Sequence, residues 1–395
     1  MTTRLSYRLE QVSDKLREII MRLSCFETVL VLVVFLGWTA GVDAAESYHG
    51  KNIHSITVED LAGRKVTINT KPKRIICLGP GSLRLIVYLQ ATDLVVGVEN
   101  MEKRFSSSRP YWIAHPELHK LPSVGPGGAG AINKMPDLEA ILRVRPDVIF
   151  ISYLEKTKAD TLQSKLGIPV IVLTYGAVGS FDKTVYQSLK VVGKVLGKSL
   201  RAQTVISFIE ETISDLSRRV QKIPRAKRPT VYAGCVGYKG IHGIESTQTE
   251  FTPFVWTGSV NVAKNGVRDK AGESHLVVGK EQLLEWNPSV IFIDALGMDL
   301  FKQDYSKNKS FYQGLDAFKN RRVYTLHPFN WYSTNLGTVV CDSYAVGKIL
   351  YPNEFADVDL EKKADEIYSF LLGHCVYKEL KKVYGPLGAR IRPVR

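Results

Sequence analysis

Cysteine is scarce in this chain of 395 residues: there are five, Cys25, Cys77, Cys235, Cys341 and Cys375, and no two stand in CxxC spacing. That argues against a zinc knuckle and against thioredoxin chemistry. Acidic residues are under-represented, with Lys+Arg at 53 against Asp+Glu at 39 and a formal charge of +14. The surplus favours anionic partners, but it is spread along the chain, with no arginine-rich tract and no nucleic-acid motif. Nucleic acid is therefore set aside, which leaves acidic lipid or a negatively charged small ligand. A hydrophobic share of 45% with 23% charged residues is the balance of a globular protein with a sizeable core.

Long apolar runs are also missing. An uncharged apolar stretch, TVLVLVVFLGWTAGV at 28–42, is short for a membrane span but suits the core of a signal peptide. Arg22 precedes it, and Val42 and Ala44 put small residues where a signal peptidase reads. Residues 1–44 are expected to be a signal peptide, of ordinary length if translation starts at Met21; an uncleaved membrane anchor is the alternative. Either puts the rest outside the cytoplasm, a compartment that permits a disulfide. Cys25 precedes the apolar core without a lipobox context.

What the chain does have is alternation. SITVEDLAGRKVTIN at 55–69 alternates on both sides of Ala62-Gly63 and predicts a β-hairpin. Apolar strands are expected at 74–79, 94–98, 147–151 and 169–173, with helices at 83–90, 138–144 and 157–166. After 230 the alternation resumes, with strands at 230–235, 290–294 and 322–326 and helices at 281–286, 335–350 and 357–372. Continuous apolar strands between amphipathic helices indicate parallel sheets covered on both faces. Between the two series, 182–222 is helical with one break at Gly197, too long for a crossover within a small sheet. The expected fold is α/β: two Rossmann-like lobes, 45–181 and 224–395, joined by one long rigid helix at 182–223.

An internal repeat supports two lobes. EAILRVRPDVIFI at 139–151 recurs as EQLLEWNPSVIFI at 281–293, matched at Glu, Leu, Pro, Val, Ile, Phe and Ile. Each copy is a short helix stopped before a proline and followed by a buried strand. Two lobes held by one helix leave a cleft between them, and such clefts are preferred ligand sites.

The chain resembles the class III periplasmic binding proteins of ABC importers, which include ferric-siderophore, haem and cobalamin binders. The carriers are the opening hairpin, KPKRIICLGPGS, LVVGVEN, RPDVIFI, LGIPVIVL, VGKVLGKSLRA, the second copy of the repeat and RRVYTLHPFNW. The resemblance implies a shallow interlobe site, little hinge closure and no catalysis. It also implies a permease dimer with its ATPase as partner. One glutamate per lobe is implied to pair with permease arginines, here Glu139 and Glu281. Paired carboxylates on two lobes suit bidentate arginine contacts, while a helix-start glutamate favoured by the helix dipole accounts for either one alone.

In open α/β sheets ligands lie beyond the carboxyl ends of strands. That rule selects Ser82, Arg104, Tyr153 and Tyr175 in the first lobe and Tyr238, His242, Arg268, Trp331 and Tyr332 in the second. Aromatic rings make rigid walls, and basic residues meet carboxylates or catecholates. Trp331 stands where the resemblance implies an aromatic residue against the ligand. Tyr238 with His242 has the chemistry to ligate iron, or is a surface loop pair. His115 and His119 have helical ligand spacing but no evident third ligand. Gly125–Gly130 spells GxGxxG without a strand before it or a helix after it, so it reads as a loop at the cleft rim.

The expected function is capture of a metal chelate, with no resident cofactor, by a monomer. A bare molybdate or tungstate oxyanion is the alternative. An enzyme on a similar two-lobed scaffold needs cofactor ligands on both lobes, and the cysteine spacing offers none.

Overall fold

The computed structural model describes residues 55–104, 109–176, 180–266 and 274–392. The expected signal peptide and the candidate Arg268 lie outside the described residues. Alternating burial makes the opening segment an antiparallel hairpin, β1 (Ile56–Glu59) with β2 (Lys65–Ile68), Ile56 facing Ile68. Then follow β3 (Ile75–Leu78), α1 (Ser82–Tyr88), β4 (Val95–Gly97), α2 (Leu138–Val144), β5 (Val148–Ser152), α3 (Lys156–Leu166) and β6 (Val170–Leu173). These strands form one parallel sheet in the order β4-β3-β5-β6.

The span 182–223, expected as a single helix, holds two: α4 (Thr184–Leu196) and α5 (Ser199–Val220). Gly197, at φ 68°, ends the first in the left-handed conformation that glycine adopts without a Cβ clash. The two helices pack against each other through Gly193, where a Cβ would stand 2.8 Å from that of Ala202. The second half adds β7 (Thr230–Gly234), β8 (Ser246–Gln248), β9 (Val260–Asn261), β10 (His275–Val277), α6 (Lys280–Trp286), β11 (Val290–Asp294), β12 (Val323–Leu326), α7 (Leu336–Leu350) and α8 (Leu360–Leu372). Its parallel sheet runs β9-β7-β11-β12, and β8 pairs with β10 in a separate antiparallel ladder.

Numbered within each half, both sheets have the same order: second strand, first, third, fourth. The sequence repeat is its local expression. Helices α2 and α6 each have seven residues, end on a left-handed residue (Arg145, φ 43°; Asn287, φ 39°) and lead through a proline into a five-residue strand. The residue after each proline ties its strand to the neighbour. Asp147 accepts from the backbone N–H of Lys73 and Arg74, and the Ser289 hydroxyl donates to the Thr230 carbonyl.

Side chains alternate across each sheet. Ile76 and Ile149 fill one face of the first sheet, Ile291 and Ile293 the matching face of the second, each with its own apolar cluster. Ile75, Phe150, Val290 and Phe292 belong instead to one large cluster that both halves share. It runs through Leu85 and Ile86 of α1, Val205 and Ile209 of α5, Val339 and Val346 of α7, and Ile367 and Leu371 of α8. Each such fully buried side chain contributes ~1.5–3 kcal/mol. The halves are thus one compact unit from residue 53 onwards. Among the described residues no helix is long and apolar enough to cross a membrane.

Candidate functional site

A cavity of about 370 Å³ opens between the two sheets, lined by loops that leave their strands at the carboxyl ends. The first half supplies Pro80 after β3, Met101 after β4, Ala129, Ile132, and Tyr153 after β5; the second supplies Tyr238, Lys239 and Gly240 after β7 and Asn330, Trp331, Tyr332 and Ser333 after β12. Among the described residues, Lys239 is the one charged side chain in this lining. Four walls are aromatic. Tyr238 stacks on His275 with ring centroids 4.1 Å apart and planes 12° apart, and Lys239 lies over the Tyr238 ring.

The backbone of these loops is held in an unusual conformation. Tyr153, Lys239, Tyr332 and Ser333 have φ of 59°, 53°, 53° and 69°, the left-handed region that bulky residues rarely enter. Such conformations persist where surrounding contacts over-determine them. For residues 331–334 those contacts come from the other half. Arg84, fully buried in α1, donates to the carbonyls of Trp331, Tyr332 and Thr334 at 2.9–3.0 Å, with its guanidinium 4.9 Å from the centre of the Tyr111 ring. The Tyr332 hydroxyl donates to Glu99 at 2.5 Å and accepts from the Gly128 N–H at 3.1 Å. The Glu99 carboxylate also accepts from the Gly79 N–H. Burial lifts the Glu99 carboxyl to about 7, against the pull of these two donors. On the facing loop, Gly237 is fixed through its carbonyl by Asn330 and through its N–H by the buried Asp294.

Of the residues selected from sequence, Tyr153, Tyr238, Trp331 and Tyr332 meet around the cavity. Ser82 and Tyr175 are buried in the packing beneath it: the Ser82 hydroxyl donates to the Phe150 carbonyl and the Tyr175 hydroxyl to the Gly81 carbonyl. Arg104 is exposed and outside the lining. His242 is bonded through its Nε2 to the Tyr238 carbonyl at 2.7 Å rather than aligned with the phenol. His115 and His119 are each engaged by a carbonyl, of Leu372 and Trp112. Among the described residues no group of three His, Cys, Asp or Glu is gathered to hold a metal ion. The four described cysteines are free thiols, and only Cys375 is exposed. Arg84 and Asn330 were not selected. An arginine inside the apolar run SLRLIVYL was the available signal, because such a residue needs buried partners. The GxGxxG loop does reach the rim, supplying Ala129 to the wall and Gly128 to Tyr332.

A family model described as periplasmic binding protein matches residues 75–328. The molybdate-binding protein MolA of Haemophilus influenzae is 24% identical over 335 residues, covering 79% of this chain and 89% of its own. Its solved structure bound to molybdate aligns with a TM-score of 0.64 at 21% identity, over 81% of this chain and 98% of that one. An uncharacterized ABC transporter substrate-binding lipoprotein of Bacillus subtilis, YvrC, is 22% identical over 70% of this chain and 79% of its own. A periplasmic solute-binding protein from Veillonella parvula has a TM-score of 0.66 at 18% identity, over 84% and 97% of the two chains.

Proposed function

The chain belongs to the periplasmic binding protein family and is the substrate-binding component of an ABC transporter, a binding protein and not an enzyme; from that premise we propose that its cargo is a metal chelate, of the ferric siderophore, haem or corrinoid kind. One observation carries the reading: a 370 Å³ cavity walled by Tyr153, Tyr238, Trp331 and Tyr332, with Lys239 as its cation. Rigid aromatic faces suit a broad, conjugated ligand and give up little conformational freedom on binding. Lys239 complements a carboxylate or catecholate edge.

Similarity to MolA favours a second reading, a bare oxyanion such as molybdate. Against it, an oxyanion of that size calls for a close cage of N–H and O–H donors, whereas this wall also includes Met101, Ala129 and Ile132. The proposal extends to the partner and the compartment. Residues 1–44 export the protein, and Glu139 and Glu281, both exposed in the first turns of α2 and α6, meet basic residues of a permease dimer.

The test is a titration followed by tryptophan fluorescence, with ferric catecholate, ferric hydroxamate, haemin, cobalamin and molybdate as probes. A chelate should quench with micromolar or tighter affinity, and Trp331→Ala should weaken it at least tenfold, the loss of ~1.4 kcal/mol or more that a central aromatic anchor gives. Tight binding of molybdate with no response to any chelate overturns the reading in favour of the oxyanion.

A further inference from the structure

Spread along the chain, the basic surplus is gathered by the fold. The five residues leading into each of the eight strands of the two parallel sheets hold twelve Lys or Arg and three acids. The five residues leaving each of those strands hold three Lys or Arg and four acids. Four lead-ins carry most of the charge: KPKR at 71–74 before β3, RVR at 143–145 before β5, RAKR at 225–228 before β7 and KNRR at 319–322 before β12. Strands of a parallel sheet all point one way, so their lead-ins share the edge remote from the carboxyl ends. The cavity opens at those carboxyl ends.

Helix ends attract cations, and that accounts for part of the pattern. Arg74 donates to the carbonyls of Val144 and Arg145 where α2 ends, and Arg228 to those of Val220 and Ile223 where α5 ends. Lys319 pairs with Asp316. The other nine cations make no side-chain hydrogen bond or ion pair among the described residues, and all but Arg322 are exposed. Of the three acids, Asp147 is engaged by the N–H groups of Lys73 and Arg74, and Glu285 by Gln282. Like charges left unpaired repel one another and destabilise the compact state. Nothing within the chain offsets that cost.

Helix α5 links the amino ends of the two sheets. Lys71 lies beside Gly197 in the turn before it, where a Cβ would stand 3.8 Å from the lysine Cε, and Arg228 grips its last turn. Its 22 residues span ~33 Å, which sets the scale of the separation between the two basic patches. A small anion reaches one patch; an extended anionic surface reaches both. In the first turn of α5, two residues beyond Lys198, stands Leu200, 83% exposed, the highest value of any large hydrophobic side chain described. An apolar side chain standing among cations suits a membrane interface, where charges hold to acidic head groups while the apolar group enters the boundary.

We propose that the end of the molecule remote from the cavity binds an anionic phospholipid surface, its two basic patches lying on the head groups and Leu200 entering the interface beside the first of them. The molecule then rests with its mouth turned away from the lipid, open to arriving cargo, and must leave that seat to deliver. The contact goes beyond the transporter reading and does not depend on which cargo is carried.

Vesicle flotation tests it. The chain from residue 45 is used, which keeps the compact unit whole and removes the apolar stretch at 28–42 as a second source of membrane affinity. Phosphatidylglycerol vesicles should carry the protein and phosphatidylcholine vesicles should not. Raising the salt from about 50 to about 500 mM should weaken the hold at least tenfold. Two paired reversals, Lys71→Glu with Arg145→Glu and Arg225→Glu with Arg321→Glu, should each weaken it about tenfold or more. Lys156→Glu with Lys264→Glu makes the same change in net charge near the carboxyl ends and should leave binding and the thermal unfolding midpoint as they are. Leu200→Ser should weaken binding at least threefold. No flotation with phosphatidylglycerol at low salt overturns the proposal, and an equal loss in the Lys156, Lys264 pair shows that net charge alone acts and overturns the face. A loss confined to one of the two test pairs overturns the two-patch arrangement, and an unchanged Leu200→Ser overturns the wedge. Tighter binding to dextran sulfate than to vesicles of equal charge assigns the face to a soluble polyanion and overturns the membrane.

Discussion

Arg84 reaches from the first half of the molecule to hold three carbonyls of the second. Hydrogen bonds from a charged donor contribute ~1.5–3 kcal/mol each, and carbonyls left unpaired in the interior cost more than the bond is worth when made. Arg84→Met should therefore destabilise the protein by about 3–5 kcal/mol in chemical unfolding. It should also weaken cargo binding through the loosened Trp331 loop; an unchanged midpoint would show that the contact is incidental. Glu99 gives a second test. Its carboxyl, lifted by burial to about 7, holds a proton more tightly folded than unfolded. That contribution is complete below the ordinary carboxyl value of 4.5 and disappears as pH rises through 7. Between pH 4.5 and 8 the wild-type chain should lose on the order of 3 kcal/mol by this route. Glu99→Gln should remove that part of the pH dependence, and equal slopes for the two proteins would refute the assignment. The sequence signals that Arg84 needs buried partners but names none for it or for Glu99. Periodicity says which face of a helix is inward, not that Arg84 finds carbonyls some 250 positions away. In loops even that guide is absent, which is why Tyr153 and Trp331 line the cavity while Tyr175 and Ser82, chosen by the same rule, pack beneath it.

Elements were more legible than residues. Strands such as Val148–Ser152 and Val290–Asp294 are apolar runs bounded by proline, and both appear within a residue of their expected bounds. The β8–β10 ladder went unread because each strand is three residues long, and Ser246, Thr247 and Gln248 are polar yet buried. The helical span 182–223 misled in a different way. Apolar spacing continues on both sides of Gly197, so the pattern does not reveal that the chain turns there, whereas the glycine alone was the stop signal. The turn brings Gly193 against Ala202 and the Lys198 carbonyl. Gly193→Leu should force α4 from α5 at a cost of about 1–3 kcal/mol, seen as a lowered unfolding midpoint. A variant as stable as the parent would mean that the helices separate without penalty.

At the scale of the whole molecule, the two sheets repeat one strand order, and each keeps a cluster of its own on one face while sharing the interior on the other. The cluster from Leu85 through Ile209 to Leu371 is common to both, and Arg84 and Glu99 bridge the halves beneath the cavity. Unfolding in urea should accordingly be a single transition by fluorescence and by circular dichroism. Small-angle scattering should give the same radius of gyration with and without cargo, to within a few tenths of an ångström; contraction by an ångström or more on loading would exclude a fused pair. A molecule without a jaw to shut cannot advertise its cargo by changing shape. If the radius holds, a transporter partner is expected to distinguish full from empty by what protrudes at the mouth, with vacant copies contending with laden ones for the same seat. Import driven by such a carrier depends on how completely it is filled, so that making more of it while the nutrient is scarce would slow uptake rather than hasten it.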